Sequence, residues 1–154
     1  MSTLALHARD ARDLAPVLAD GSLRPSTLAE ALIARSASQQ PRLRAWVSFD
    51  AAGARRRAGQ AGTGALSGLP FAVKDNIDTA GIATAYGSPI YAAHVPAADA
   101  ACVALARAAG AWVLGKTACT EFANMTPCDT RNPWHVAHTP GGSSSGSAAA
   151  VSAG

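Results

Sequence analysis

Two stretches of the sequence hold residue types able to make and break covalent bonds. The first is GLPFAVKDN, residues 68–76, where Lys74 closes the apolar run Phe71-Ala72-Val73. A lysine at a strand's end stands among backbone dipoles, and it can take a proton only as the neutral amine. The second is TPGGSSSGSAAAVSAG, residues 139–154, where Gly141 and Gly142 precede Ser143, Ser144 and Ser145. Glycines let the backbone approach a ligand closely. A helix that starts behind them aims free N–H groups and a positive dipole end into the same space. Taken singly, each stretch has an ordinary alternative. Lys74 reads as an exposed strand-end residue paired with Asp75 or Asp78. The serines read as helix caps or as part of a phosphate-binding nest. Taken together, they describe a serine–lysine hydrolase in which a neutral lysine accepts a hydroxyl proton.

Two other patterns carry less. GAWVLGKT, residues 110–117, satisfies the spacing of a P-loop, G-x-x-x-x-G-K-[ST]. A P-loop's variable positions must form a loop that wraps phosphate after a strand. Here Ala111 to Leu114 read as the strand itself, with a helix ahead of them, so nucleotide binding is set aside. Cys128, His135 and His138 lie in a proline-flanked loop without ligand spacing and read as ordinary loop residues, so no metal site is assigned.

The elements that must position Lys74 and the serines follow from hydrophobic periodicity. Leu14, Val17 and Leu18 share one helical face, and Gly21 is placed to end that helix. RPSTLAEALIARSASQQP predicts a second helix, with Thr27 and Glu30 in capping-box spacing, Leu28, Ala31 and Leu32 on one side, and Pro41 as its stop. Leu43 to Phe49 predicts a short strand, and Asp50 caps a third helix through Arg55, Arg56 and Arg57. From Ser67 the character changes. GLPFAVKDN predicts a buried strand that runs into polar residues, the strand-to-loop edge where α/β proteins keep their chemistry. Asp99 to Gly110 predicts a helix, and AWVLGKT the next parallel strand. Helix followed by buried strand argues for an α/β layer.

Bulk properties narrow the class. At 154 residues, 49% hydrophobic and 15% charged, the chain is long and apolar enough to fold around a core. The net charge of +3 is spread out, and aromatics are only 5%, too few for base-stacking platforms, so no direct nucleic-acid partner is expected. The expected setting is cytoplasmic, with no membrane partner, since no apolar run approaches eighteen residues. Cys102, Cys119 and Cys128 are odd in number and lack CxxC spacing, which fits reduced thiols.

The motifs GLPFAVKDNIDTAGIATAYGS, GAWVLGKTACTEFA, TRNPW and HTPGGSSSGSAAAVSAG, in this order and spacing, resemble the amidase signature family. The resemblance covers roughly Arg24 to Gly154 and sits nearer the stand-alone amidases than the amidotransferase A subunits. It implies a mixed α/β/α sandwich, of which this chain is the N-terminal portion. A helical lead-in would occupy about 1–66 and the start of the α/β core about 67–154, with the C-terminal remainder missing. By resemblance Lys74 is the catalytic lysine and Ser143 the middle serine, whose own peptide bond is cis. Gly141, Gly142 and Ser144 shape the loop. Lysine and cis-serine would relay a proton from a second serine that attacks an amide carbonyl, with no cofactor and with a small-molecule amide as the partner. A homodimer is one assembly open to the full-length protein. The family's nucleophile lies about two dozen residues past the cis-serine, so no nucleophile is assigned in this chain. Loss of one oxyanion donor alone costs about 10²–10³ in rate, so the 154-residue chain by itself is expected to be inactive. Ala118 stands where relatives often carry asparagine, and Ala148 to Ala153 are expected to form a small-residue helix packing on elements beyond this chain.

Overall fold

The computed structural model describes residues 5–154. After a 3₁₀ turn at Leu6–Ala8, α1 spans Ala11–Ala19 and α2 Pro25–Leu43. Strand β1 (Trp46–Ser48), α3 (Ala51–Gly59), β2 (Pro70–Lys74), α4 (Ala101–Ala108), β3 (Trp112–Thr117) and α5 (Ser145–Ala153) follow. The strands form one sheet in the order β1-β3-β2, with β1 antiparallel and β2 parallel to β3. This is the α/β layer that the sequence pattern predicts, with the mixed sheet that the family resemblance implies.

The helices differ from expectation at their ends. α1 buries Leu14 and Leu18, and Gly21 follows at φ +78°. α2 starts two residues before Thr27, with Pro25 in its first turn, where a missing N–H costs nothing. Its capping box is therefore unused, and Glu30 instead pairs with Arg55 of α3 at 2.7 Å. Pro41 does not stop α2, which runs through it to Leu43 and ends at Arg44 in the left-handed region, φ 51°. A proline so near the end interrupts only the last turn. Asp50 does cap α3, its carboxylate accepting N–H groups of Ala52 and Gly53.

β3 is the centre of the fold and is buried along its whole length. Trp112 and Leu114 pack with Ala29 and Ile33 of α2 and with Ala54 and Ala58 of α3. Val113 points the other way, onto Val73 of β2 and Val103 of α4. β2 is less covered than the sequence suggests: Val73 is buried, but Ala72, on the opposite face, is exposed. An apolar groove of about 200 Å³ lies beside it, with Leu32, Phe71, Ala150 and Val151 in its wall. α5 contains the small-residue helix expected over Ala148 to Ala153. One face of it buries Ala149 against Leu43 and Ala45, while Ala148 and Val151 on the other side are exposed.

Candidate active site

Successive strand residues alternate between faces. With Val73 turned into the α4 side, Lys74 faces α5. The last residue of β3, Thr117, pairs with Lys74 in the sheet and holds α5 through a 2.7 Å hydroxyl–hydroxyl bond to Ser147. The glycine–serine loop enters this face under tight backbone control. Gly141 takes φ +83°, which favours glycine. A Cβ on Gly142 would stand 2.8 Å from Thr120 Cγ2, so a side chain there would require the Thr120 side chain to shift. The Gly142–Ser143 peptide bond is cis. The Thr120 amide donates to the Ser143 carbonyl at 3.1 Å, and Ser145 Oγ donates to the Gly141 carbonyl at 2.6 Å.

The result is a direct contact: Lys74 Nζ donates to Ser143 Oγ at 2.7 Å, both residues being half-buried. An amine and a hydroxyl at this separation can pass a proton between them without an intervening water. Gly141 and Gly142 flank this contact. Ser144 does not join it; it is exposed, occupies the helix-entry position and makes no side-chain capping bond. The reading of the serines as caps therefore fails at Ser144, and the ordinary alternative for Lys74 fails too. Asp78 accepts instead from the Tyr86 hydroxyl at 2.5 Å, and Asp75 turns to the opposite face, where its carboxylate accepts the amides of Ala85 and Gly87.

Several residues around the pair carry no distinguishing mark in the sequence. Asp75 is almost fully buried, and burial pushes its carboxyl up, an effect the Gly87 and Ala85 amides and Lys116 oppose. Burial likewise pushes the Cys119 thiol up. Thr120 bridges to Ser143 through its backbone, and its own hydroxyl is buried without a partner. Lys116 is wholly buried. Its one signal in the sequence is that of a lysine inside an otherwise apolar strand. Among the described residues no helix is long and apolar enough to cross a membrane.

A mixed α/β sheet whose edge-strand lysine meets a serine on a cis peptide bond defines a class of lysine–serine sites. The Amidase family model matches residues 27–154, and the chain belongs to that family, the amidase signature proteins. It is 41% identical to the A chain of the glutamyl-tRNA(Gln) amidotransferase of Roseiflexus sp. (strain RS-1), over 97% of this chain and 33% of that one. Its structure resembles 6-aminohexanoate cyclic dimer hydrolase (32% identity, TM-score 0.88, 97% of this chain and 33% of that one). It also resembles the peptide amidase of Stenotrophomonas maltophilia (39% identity, TM-score 0.77, 93% and 34%). The chain thus spans about a third of the length of the relatives it matches.

Proposed function

We propose that this chain is the N-terminal portion of an amidase that hydrolyses a carboxamide C–N bond, with Lys74 and Ser143 as its proton relay. The observation that carries this reading is the 2.7 Å contact between Lys74 Nζ and Ser143 Oγ. A second serine, expected beyond position 154, attacks the amide carbonyl. Its proton passes through the Ser143 hydroxyl to the Lys74 amine and then to the departing nitrogen. Ammonia or an amine leaves, the acyl group stays on the second serine, and water releases it as the acid. The substrate is a small-molecule amide.

The test uses the protein as its native locus produces it. Its intact mass should be several times the 15.5 kDa of this chain. Lys74→Ala should lower turnover of a simple carboxamide or p-nitroanilide by about 10²–10⁴-fold, the usual worth of positioned proton transfer. Full activity in that variant overturns the reading. A mass near 15.5 kDa favours instead a non-catalytic chain that acts as a binding piece. The 41% identity to the A chain of an amidotransferase supports a second reading, ammonia supply to an activated acyl group on tRNA. Stable co-purification with partner subunits would favour it over the stand-alone enzyme.

A further inference from the structure

Of the thirteen basic side chains in the sequence only two are lysines, Lys74 and Lys116. Lys116 is the lysine of the P-loop-like stretch, and its place in the fold shows what that stretch does instead. In strict alternation it would share a face with Trp112 and Leu114 and drive its ammonium into the apolar layer under α2 and α3. A bulge prevents this. Phe71 pairs with Val113 but Ala72 pairs with Gly115, so β3 carries one extra residue, and everything after it is re-aimed. Lys116 consequently lies on the Val113 face, beneath the loop that follows Lys74.

There its ammonium donates to the Ile77 carbonyl, to Thr79 Oγ1 at 3.1 Å and to Thr84 Oγ1 at 2.9 Å. Three N–H donors meet three oxygens, the full complement of an ammonium. Burial pushes the Lys116 amine down, and Asp75 and Asp78 oppose that. These bonds bracket Lys74 on both sides. Lys116 pairs with Val73 in the sheet, one residue before Lys74. Its acceptor Ile77 sends its own amide back to the Lys74 carbonyl at 3.0 Å. The same gathered loop presents Ala85 and Gly87 to Asp75, and Gly87 lies so close to Thr120 that a Cβ would stand 2.9 Å from its carbonyl oxygen. Thr120 in turn holds Ser143.

We propose that Lys116 is a positioning residue for the Lys74–Ser143 pair, its three bonds tying the 75–87 loop so that Lys74 Nζ stays on Ser143 Oγ. This rests on the amidase reading above. A buried charge is costly, and a well-packed apolar replacement of the whole network is often as stable, so stability alone does not account for it.

The test is Lys116→Met, which keeps the length and removes the donors, made in the protein as its native locus produces it. Two quantities are read: kcat per folded molecule, well below the melting temperature, and the Lys74 Nζ–Ser143 Oγ separation in the variant's crystal structure. A fall in kcat of about 10–100-fold with KM nearly unchanged, and a separation opened beyond hydrogen-bond reach, are expected, since a displacement of about 1 Å costs up to roughly 10² in rate. Loss of stability alone would leave the separation at 2.7 Å. Wild-type kcat with that contact intact overturns the proposal. If Lys116→Met does not fold, Thr84→Val removes a single acceptor and should give a smaller change in the same two readings; no change in either overturns it. A wild-type protein that hydrolyses no amide sinks the amidase reading, while the separation in the variant still decides whether Lys116 positions Lys74.

Discussion

Replacing Gly146 with alanine should separate Lys74 from Ser143 without touching either. Gly146 lies in the first turn of α5, where its amide donates to the Ala118 carbonyl at 2.8 Å. A Cβ built there would stand 3.0 Å from Ala118 Cα, and closer still to the Ala118 nitrogen and the Ala45 carbonyl oxygen. All three atoms are backbone and cannot swing away. Ordinary carbon contacts begin at about 3.5 Å, so the start of α5 must retreat by about 1 Å. Overpacking of this kind costs about 1–3 kcal/mol, and the strained 146–118 bond adds about 1 kcal/mol if it breaks. The preference of a helix for alanine returns only about 0.5–1 kcal/mol. Ser143, three residues upstream, moves with the helix, and a 2.7 Å bond does not survive a displacement of about 1 Å. Urea denaturation should therefore show a loss of about 1–3 kcal/mol, and amide turnover should fall by roughly 10²-fold. Gly59→Ala in α3 is the control, because its Cβ meets nothing within 4 Å. If Gly146→Ala proves as stable and as active as that control, the packing argument is wrong.

Three further outcomes follow from the same geometry. The Asp78 carboxylate holds the Tyr86 phenol up, from 10.0 to about 12. Its contribution to stability is therefore complete below about pH 10 and is lost as the pH rises from there toward 12. Tyrosinate absorbance should show this late titration, and Asp78→Asn should bring it back down. Leu28→Ala, at a fully buried position beside Leu14, Leu18 and Leu69, should cost about 2–5 kcal/mol in denaturant unfolding. Arg55→Ala should change stability by no more than about 0.5 kcal/mol, since both ends of the Arg55–Glu30 pair are about half exposed.

The strands, Lys74 and the glycine–serine stretch were readable because each is announced by a local contrast. Trp112 to Thr117 is an apolar run too short for a helix and behind a helix's glycine stop, and it is the central strand. Lys74 ends an apolar run, and two glycines mark the serine stretch, although only the family resemblance singles out Ser143 among its serines. What the sequence concealed depends on long-range partners. Pro41 signals a helix end, but α2 passes through it to Leu43, whose burial against Ala45 and Ala149 outweighs one interrupted turn. Thr27 and Glu30 have capping-box spacing, yet Glu30 is claimed by Arg55, 25 residues on. Ala72 looks buried in sequence and is exposed, because nothing local tells which face of a strand is covered. The bulge at Leu114, which decides where Lys116 points, leaves no mark in residue types at all.

One short segment, residues 117–120, sets the separation of the site pair. On the Lys74 side, the Asp75 amide donates to the Thr117 carbonyl at 2.9 Å, fixing the end of β2. On the Ser143 side, Gly146 donates to Ala118 and Thr120 donates to the Ser143 carbonyl. Ala118 also donates to the Ala45 carbonyl at 2.9 Å, which anchors the segment to the chain between α2 and β1. Every one of these links is a backbone bond, so their lengths are indifferent to the side chains exposed around the loop. Ser144, though it is surrounded by the motif, has no part in them. The missing side chain at Gly146 matters because it lets the start of α5 close on the backbones of Ala45 and Ala118, and it is this approach that brings a serine at the mouth of a helix to a lysine at the end of β2.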